Sequence, residues 1–464
     1  MIIHIRNFGK IESADIDLDN LVIFVGENNS GKTYIMQLIY GLFSFFYTRE
    51  VNSFFSAYDN FDIDDNFFNK TESSIIINYS DREFFDSFQD RFNSFLNENK
   101  DLIIQNTFHT RALTIDSLSI EFDNIQDNIS LVNEGKIEIN KELRKRFTIE
   151  DNSKIKFRMG FSIDFSTEEI KRIIKRQLLS VIFFKLIGLN LSGYISAREE
   201  KPVIYLPASR SGIMLLYANY LANVSAKNKN EISEYEIEGS QVIDTENEYG
   251  LTEPVYNFLM FLLTHKNREI ILDFDKDIIS FIDNNIINGS FEKIGTTMRY
   301  KPSTSDQSIP IYLSSSLVSE LAPIYQILSG IKRYNYILYD EIETCQHPTK
   351  QLQLARLLVR MVNAGYKMIV STHSDTMALA INNLITLSFK KEKYSLLEKL
   401  GYEEKDLLKS ANVKAYQFLI GETGKTIVQE IPSHFSVGIG FDFNLFNKTN
   451  DKIYQDAVAL AEVE

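Results

Sequence analysis

The chain has 464 residues, a formal net charge of −14 and one cysteine. This length allows a large core with two or three subdivisions, and an apolar content of 44% argues against wholesale disorder. The acidic balance excludes a protein whose whole surface attracts nucleic acid, although a local basic groove stays compatible with it. The single Cys345 excludes an internal disulfide and fits a reducing cytoplasm.

Neither a membrane span nor a secretion signal is predicted. The longest apolar run, 178–191, is interrupted by Lys185 and is expected to form a buried helix. The first residues have a strand pattern, with no basic segment followed by a cleavable apolar one. We therefore expect a cytoplasmic protein that does not associate with membranes.

The first informative motif is Gly26–Thr33, a complete G-x-x-x-x-G-K-[ST] phosphate-binding loop. An apolar strand pattern at 21–25 enters it and a helical pattern at 34–39 leaves it. Its glycines allow backbone N–H groups at a helix N-terminus to face phosphate oxygens. Lys32 is predicted to reach the β- and γ-phosphates, and the Thr33 hydroxyl to bind Mg²⁺. The alternative is a Gly/Asn-rich surface turn before an ordinary helix, which the flanking patterns disfavour. The predicted nucleotide-binding residues of the loop are Gly26, Asn28, Asn29, Ser30, Gly31, Lys32 and Thr33.

After this loop, the sequence pattern changes first to alternating segments and then to helical ones. An aromatic, acidic stretch at 41–70 is followed by alternating segments that predict an antiparallel β lobe. These segments are 74–79, 117–122, 129–132 and 155–163. Ser166–Glu169 is then a capping box that opens a long helix to about Gly188. Further helical patterns lie at 213–224, 255–265 and 278–287. The polar interval 227–250 indicates a mobile loop or a partner-binding insert.

Three consecutive serines, Ser314, Ser315 and Ser316, follow a short strand pattern at 309–313 and open a helix to about Ser329. Serine hydroxyls and backbone N–H groups at a helix start form an anion site. A plain serine N-cap is the alternative, but it needs one serine and leaves the other two unexplained.

The next strand pattern ends in two acids, Asp340 and Glu341, after the apolar run 336–339. A buried parallel strand delivers such acids at its carboxyl end, where the ligands of open α/β sheets bind. Asp340 is predicted to hold Mg²⁺, directly or through water, and Glu341 to act as general base on the attacking water. A strand that ends at a solvated turn is the alternative; the phosphate loop at Gly26 favours the catalytic interpretation.

A further strand pattern, 367–372, leads to His373. An imidazole at this place suits a sensor that hydrogen-bonds the γ-phosphate. A histidine satisfied at a sheet edge is the structural alternative. After His373, residues 414–430 alternate like a hairpin and 451–464 have the pattern of a closing helix.

These motifs together resemble the ABC-type ATPases of the OLD/SMC/RecF-like group. After the acidic pair, that family usually reads D-E-P-E-x-x-L-H-P, and Asp340–Pro348 of this chain reads D-E-I-E-T-C-Q-H-P. The opening strand and turn at 1–11, the P-A-x-R turn that ends 203–210, and Ser371–Ser374 also match. The matching motifs lie towards the two ends of the chain and at one point near its centre.

The resemblance implies an α/β fold, an ABC-type P-loop ATPase head with an antiparallel β lobe and a helical insertion. It divides the chain into an N-terminal part of the head (1–165), a helical insertion (166–300) from which strand 201–210 returns to the head, and a C-terminal part of the head (301–464). It implies ATP and Mg²⁺ as cofactors, and a homodimer or higher homo-oligomer in which Ser314, Ser315 and Ser316 serve as the signature that contacts the nucleotide of the opposite subunit. Many members have S-S-G there, and the missing glycine predicts a less close approach of the backbone to phosphate.

OLD-type nucleases continue into a Toprim domain, marked by a strand ending in Glu-Gly and a later Asp-x-Asp. Ile420–Thr423 is the closest match, and Asp442 stands alone. The sequence therefore predicts an ATPase without its own nuclease. Similar ATPases occur in antiphage systems of the Septu and PARIS types, which implies a switch that controls a separate effector, expected to be a nuclease.

Two other functions stay open. One is a RecF/SMC-like ATPase that clamps DNA in repair or recombination, for which the basic clusters 141–146 and 171–176 are the candidate contacts; most such clusters are simply solvated. The other is a nucleotide-binding scaffold with little turnover, which the intact Glu341 disfavours.

Overall fold

The computed structural model describes residues 1–58, 61–70, 72–78, 82–123, 128–139, 142–151, 156–188, 203–214, 251–264, 271–294, 297–331, 334–390, 392–408, 413–434 and 439–461. The strands are β1 Ile2–Phe8, β2 Ile11–Asp17, β3 Leu21–Gly26, β4 Ser73–Asn78, β5 Ser117–Glu121, β6 Asn128–Ile139, β7 Glu142–Asp151, β8 Lys156–Ser162, β9 Val203–Leu206, β10 Gly289–Ile294, β11 Thr297–Pro302, β12 Ile309–Pro310, β13 Tyr336–Tyr339, β14 Lys367–Thr372, β15 Val413–Ile420, β16 Thr426–Glu430, β17 Ser433–His434 and β18 Ile439–Phe441.

The α-helices are α1 Lys32–Phe45, α2 Arg49–Ala57, α3 Asp65–Asn69, α4 Arg82–Glu98, α5 Lys100–Phe108, α6 Thr167–Leu186, α7 Glu253–Thr264, α8 Asp273–Phe281, α9 Ser316–Ser329, α10 Pro348–Asn363, α11 Asp375–Phe389, α12 Lys393–Leu400 and α13 Asn444–Ala461. A π-helical segment, Ile282–Ile287, continues α8, and two 3₁₀ turns lie at Ile311–Leu313 and Glu404–Asp406. The described residues fall into two compact units. The first lies within 1–5, 42–103 and 115–201, and the second within 6–41, 104–114 and 202–464.

A mixed sheet forms the centre of the second unit. The strands of this sheet that lie entirely in the second unit run in the order β2, β16, β15, β3, β14, β13, β9. Strands β15, β3, β14, β13 and β9 are all parallel, whereas β16 pairs with β15 in an antiparallel hairpin. The carboxyl ends of β3, β13 and β14 therefore meet at one edge, where ligands of such sheets bind. All residues of β3 and β13 are buried, which explains their continuous apolar sequences.

Helices α9, α10 and α11 contribute to the apolar core of this unit. Helix α10 begins with Pro348, whose fixed φ suits the first turn, and the ring of His347 accepts the N–H of Thr349 as its cap. The prediction of a short strand at 309–313 is only partly right. Strand β12 ends at Pro310, and a 3₁₀ turn takes over.

The first unit contains an antiparallel sheet in the order β4, β6, β7, β8. Its helices pack through phenylalanines: ring centroids lie 4.8 Å apart for Phe92 and Phe183, and 5.0 Å apart for Phe54 and Phe95. The predicted capping box at Ser166 is confirmed, because its hydroxyl accepts the N–H of Glu169 and that carboxylate accepts the N–H of Ser166.

One predicted member of the β lobe is placed wrongly. Segment 117–122 does form a strand, β5, but β5 pairs with β1 and not with the four-stranded antiparallel sheet. Alternation identifies a half-buried strand without naming its partner, since pairing depends on residues far along the chain. The prediction of an α/β fold with an antiparallel lobe is confirmed.

The predicted segments at 255–265 and 278–287 correspond to α7 and to α8 with its π-helical continuation. The polar interval 227–250 and all but the first two residues of 213–224 lie outside the described residues. The predicted domain boundaries at 165 and 300 stay predictions. Within the described ranges, no helix has the length and apolar character needed to cross a membrane.

Candidate active site

The phosphate loop connects β3 with α1. The backbone of two of its glycines lies very close to neighbouring side chains. A Cβ on Gly26 would lie 2.9 Å from Cβ of Phe418, and a Cβ on Gly31 would lie 2.5 Å from Cδ1 of Ile11. Gly31 also has a φ of +100°, which glycine adopts most easily. The loop therefore needs its glycines to curl at the start of α1, where helix N–H groups favour anions.

Lys32 is held inside the loop. Its side chain is 4% exposed, and Nζ donates to the carbonyls of Gly26 and Glu27, both at 2.8 Å, and to Oγ of Ser30 at 3.2 Å. Burial lowers the pKa of the Lys32 ammonium to about 8, against the opposing charges of Asp340, Glu341 and other carboxylates. The loop thus presents a partly desolvated cation beside two acids.

Asp340 lies at the end of β13 and is nearly fully buried. Its Oδ2 accepts the hydroxyl of Thr33 at 2.7 Å and that of Tyr205 at 2.8 Å. Its Oδ1 accepts the hydroxyl of Ser371. The buried carboxylate is therefore fixed by three hydroxyl donors, and it lies against the loop residue predicted to bind Mg²⁺ with it.

Glu341 and His373 are in contact. Nε2 of His373 lies 3.2 Å from Oε1 of Glu341. Nδ1 of the same ring lies 2.9 Å from the carbonyl oxygen of Gly26 and 3.1 Å from Nζ of Lys32. Hence the histidine lies between the phosphate loop and the acid pair, as a sensor of the γ-phosphate would need to.

Glu343 supports the position of the histidine. Its Oε1 accepts the backbone N–H of His373 at 2.6 Å and that of Ser374 at 3.1 Å. The hydroxyl of Ser374 accepts the N–H of Met377 and caps α11. A carboxylate at a helix start is favourable electrostatically, so the family-like acid at 343 has a structural use.

Ser314, Ser315 and Ser316 lie at the start of α9. Ser315 occupies the N-cap position, yet its hydroxyl makes no capping hydrogen bond, and both Ser315 and Ser316 are exposed. The hydroxyl of Ser314 donates to the carbonyl of Ile311. The contacts of a plain N-cap are therefore missing, which leaves two hydroxyls facing solvent.

The basic clusters are partly neutralised. Arg144 pairs with Glu142 at 2.8 Å and Arg146 with Glu134 at 3.5 Å. Lys171 pairs with two carboxylates, those of Asp62 at 3.0 Å and Asp65 at 2.7 Å. These ion pairs reduce the charge that either cluster offers to a phosphate backbone.

Sequence reasoning assigned no role to Tyr205, Ser371 or Glu343. Tyr205 and Ser371 lie inside apolar strand patterns, where a hydroxyl gives no signal of its own. Only the position of Ser371, opposite Asp340 across the paired strands β13 and β14, brings it to the carboxylate. The predicted residues Lys32, Thr33, Asp340, Glu341 and His373 are brought together by the fold.

The site suits ATP with Mg²⁺. A hydroxyl and a carboxylate supply the hard oxygen ligands that Mg²⁺ prefers, and the loop supplies N–H groups and a cation for phosphate. Across the described part of the chain, no cluster of three or more His, Cys, Asp or Glu could hold a metal ion.

Comparison with known proteins identifies one family. The sequence profile of the AAA ATPase domain matches residues 1–378. No curated protein sequence matches the chain.

The similar solved structures include three SMC heads, which have low sequence identity to this chain and low TM-scores. The SMC head domain from Thermotoga maritima is 10% identical, with 93% of this chain and 98% of that one covered and a TM-score of 0.33. An Smc head bound to the C-winged helix domain of ScpA is 10% identical, with coverages of 94% and 99% and a TM-score of 0.36. A Pyrococcus furiosus Smc head with an extended coiled coil, bound to the C-terminal domain of ScpA, is 12% identical, with both coverages 98% and a TM-score of 0.33.

Proposed function

We propose that this chain, which belongs to the AAA ATPase domain family, hydrolyses ATP with Mg²⁺ and acts as a switch that controls a separate effector protein. The main support for this proposal is that the fold brings the phosphate loop, the acid pair and the histidine into contact. Lys32 contacts His373, which contacts Glu341, and Thr33 contacts Asp340. A phosphate loop used only for binding would need neither the histidine nor the second acid.

Each residue of the site has a separate role in the proposed hydrolysis. Thr33 and Asp340 would hold Mg²⁺, which neutralises phosphate charge when bound. Lys32 turns from the loop carbonyls to phosphate oxygens. Glu341 accepts a proton from the attacking water as general base, and the imidazole of His373 orients that carboxylate. All of these residues lie at the edge of the sheet where the carboxyl ends of β3, β13 and β14 meet.

Two substitutions test hydrolysis. In Lys32→Ala, we expect loss of nucleotide binding, because the loop cation is removed. In Glu341→Gln, binding persists while turnover falls by about two orders of magnitude or more, as expected when a positioned base is lost. Nucleotide binding and phosphate release are measured on the same preparations, with unfolding temperature as a check of integrity. Near-normal turnover of Glu341→Gln would rule out its role as base.

The proposal of a separate effector rests on two features outside the nucleotide site, the ion-paired basic clusters and the polar insert. Ion pairs of Arg144, Arg146 and Lys171 with carboxylates partly neutralise the basic clusters, and the net charge of the chain is −14, so charge favours a protein partner over direct clamping of DNA. The polar insert 227–250, outside the described residues, is not required by nucleotide chemistry. Such a segment commonly binds a partner or transmits the nucleotide state. We place the effector, expected to be a nuclease of an antiphage system, on the insertion 166–300, with homo-oligomeric heads as the regulated unit.

Deletion of 228–248 tests this part. We expect ATP hydrolysis to persist while binding of proteins encoded by neighbouring genes is lost, measured by co-purification and size measurement with and without ATP. The intact chain alone is expected to leave DNA uncut. Stimulation of its ATPase by DNA, lost on neutralising Arg144 and Arg146, would instead support the RecF/SMC-like alternative. Metal-dependent DNA cleavage by the chain alone would overturn the need for a separate nuclease.

A further inference from the structure

Arg210 is a fully buried arginine in the turn after β9, and its guanidinium binds backbone next to the acid pair. Its side chain is 0% exposed. Nη1 donates to the carbonyls of Pro207 at 3.0 Å and Asp340 at 2.8 Å, and Nη2 donates to the carbonyl of Glu341 at 3.2 Å. A guanidinium makes these bonds from two nitrogens held in one plane, whereas an ammonium would have to make them all from a single nitrogen.

The same guanidinium forms an ion pair with a different element. Its Nε lies against the carboxylate of Glu320, which is also 0% exposed and lies in the first turns of α9, beyond the serines at 314–316. The guanidinium packs over the ring of Tyr339, 4.6 Å from its centroid. Arg210 therefore joins the helix that begins at the serines with the end of β13.

The backbone that Arg210 holds is strained. Glu341 has a φ of +45°, in the left-handed region that residues with a Cβ rarely adopt. Such a conformation persists only where surrounding contacts fix it. The N–H of Glu341 donates to Oγ of Ser371 at 2.8 Å, and its carbonyl accepts from Arg210. Two side chains thus hold both sides of this residue, and its carboxylate points to His373 as a result.

We propose that Arg210 is a positioning residue, which fixes the backbone of Glu341 and couples it through Glu320 to the helix that begins at the serine run. The inference rests on the proposed role of Glu341 as base. A displacement of α9, as when an anion binds at its start, would reach Glu341 through one ion pair and two hydrogen bonds. A merely structural ion pair would affect stability and leave the turnover of folded protein unchanged.

The experiment compares Arg210→Lys with a matched control, Arg360→Lys. Arg360 is also nearly buried, and it pairs with the buried Asp406 away from the acid pair. We expect Arg210→Lys to lower kcat roughly tenfold or more, while the Kd for ATP changes by less than about threefold, because a misplaced base affects the chemical step. Arg360→Lys is expected to lower the unfolding temperature and leave kcat of the folded protein unchanged. Since removal of one buried charge can prevent folding, the paired replacement Arg210→Met with Glu320→Leu serves as a second variant.

A double-mutant cycle with Glu341→Gln distinguishes the possible failures. If Arg210 acts through Glu341, Arg210→Lys causes no further fall in kcat once Glu341 is replaced. An additive fall, or a kcat less than about fivefold below wild type for both folded Arg210 variants, overturns the coupling. Should Glu341→Gln itself turn over normally, the proposed function fails first, whatever Arg210 does.

Discussion

His373 and Glu341 form a direct contact, with Nε2 of the ring 3.2 Å from Oε1 of the carboxylate. A carboxylate only accepts hydrogen bonds, so the ring donates through Nε2. On the other side of the ring, Nδ1 faces both the Gly26 carbonyl and the Lys32 ammonium. It donates to the first, or it accepts from the second when Lys32 gives up one of its three hydrogen bonds within the loop. Movement of Lys32 therefore changes the hydrogen-bond partner of the ring. Glu341, the proposed base, and the loop cation are thereby linked through one imidazole.

This contact predicts different effects for two substitutions of His373. His373→Gln retains an N–H donor for Glu341 and is expected to lower kcat about tenfold. His373→Leu has no donor and is expected to lose roughly a hundredfold or more, since it also removes the polar neighbour of the base. ATP affinity should change little in either, because the loop and Asp340 stay intact. Rates for both within twofold of wild type would exclude a catalytic use of the ring.

The hydroxyl of Ser371 predicts a change in metal dependence. Ser371→Ala removes one donor to Asp340 and the acceptor of the Glu341 N–H. Loss of such support typically weakens metal affinity about 10- to 100-fold, so the Mg²⁺ concentration for half-maximal ATPase should rise correspondingly. Ser388 is a matched control, because its hydroxyl also donates one hydrogen bond, here to the backbone carbonyl of Leu384, and also accepts a backbone N–H. Ser388→Ala should lower stability by about 1 to 3 kcal/mol without changing Mg²⁺ dependence.

Lys32 predicts how stability changes with pH in the absence of nucleotide. An unfolded lysine holds its proton up to a pKa near 10.5, and the folded one loses it near 8. Between these values the unfolded chain binds more protons, so the free energy of unfolding rises with pH. Lys32→Met, which carries no such charge, should therefore have its largest stability advantage at pH 7. That advantage, on the order of 3 kcal/mol, should shrink between pH 8 and 10.5 in urea unfolding. A pH-independent difference would show that the ammonium is not penalised in the folded loop.

The free hydroxyl at Ser315 predicts composite sites between two heads. If it contacts nucleotide bound at Lys32 of the other chain, a dimer of Lys32→Ala and Ser315→Ala chains keeps one intact site. Random mixing should then restore roughly a quarter of wild-type ATPase, from two nearly inactive variants. Dimers that form, contain both variants and show no gain would contradict the arrangement. Ser319→Ala is the control, since its hydroxyl is bonded within α9.

The sequence was most informative where chemistry and strand ends coincide. The loop at Gly26, the acids after β13 and the histidine after β14 could be found because each motif is contiguous and flanked by a clear apolar pattern. Their mutual contacts also followed from the rule that parallel strands end at one edge. The place of β5 did not, because its partner β1 is far away along the chain.

The supporting residues could not be predicted for the same reason. Tyr205 and Asp340 are 135 residues apart, and Arg210 and Asp340 are 130 apart. The strain at Glu341 is also invisible in the sequence, since glutamate has no preference for a positive φ. Such features depend on a few long-range hydrogen bonds, whereas local periodicity reports only which side of an element is buried.

Strand β3 has β14 on one side and β15 on the other, and Gly26 lies against Phe418 of β15. The phosphate loop therefore leaves the ribosome long before its neighbours: at 5–20 residues per second, roughly 20 to 80 s separate the synthesis of Thr33 from that of residue 420. During that time the nascent chain has the loop sequence but lacks the complete strand that borders it, and for most of that time it also lacks the acids and the histidine. Because the site is incomplete until these strands are made, unfinished chains are not expected to carry out the proposed hydrolysis or any pairing of heads that depends on bound ATP.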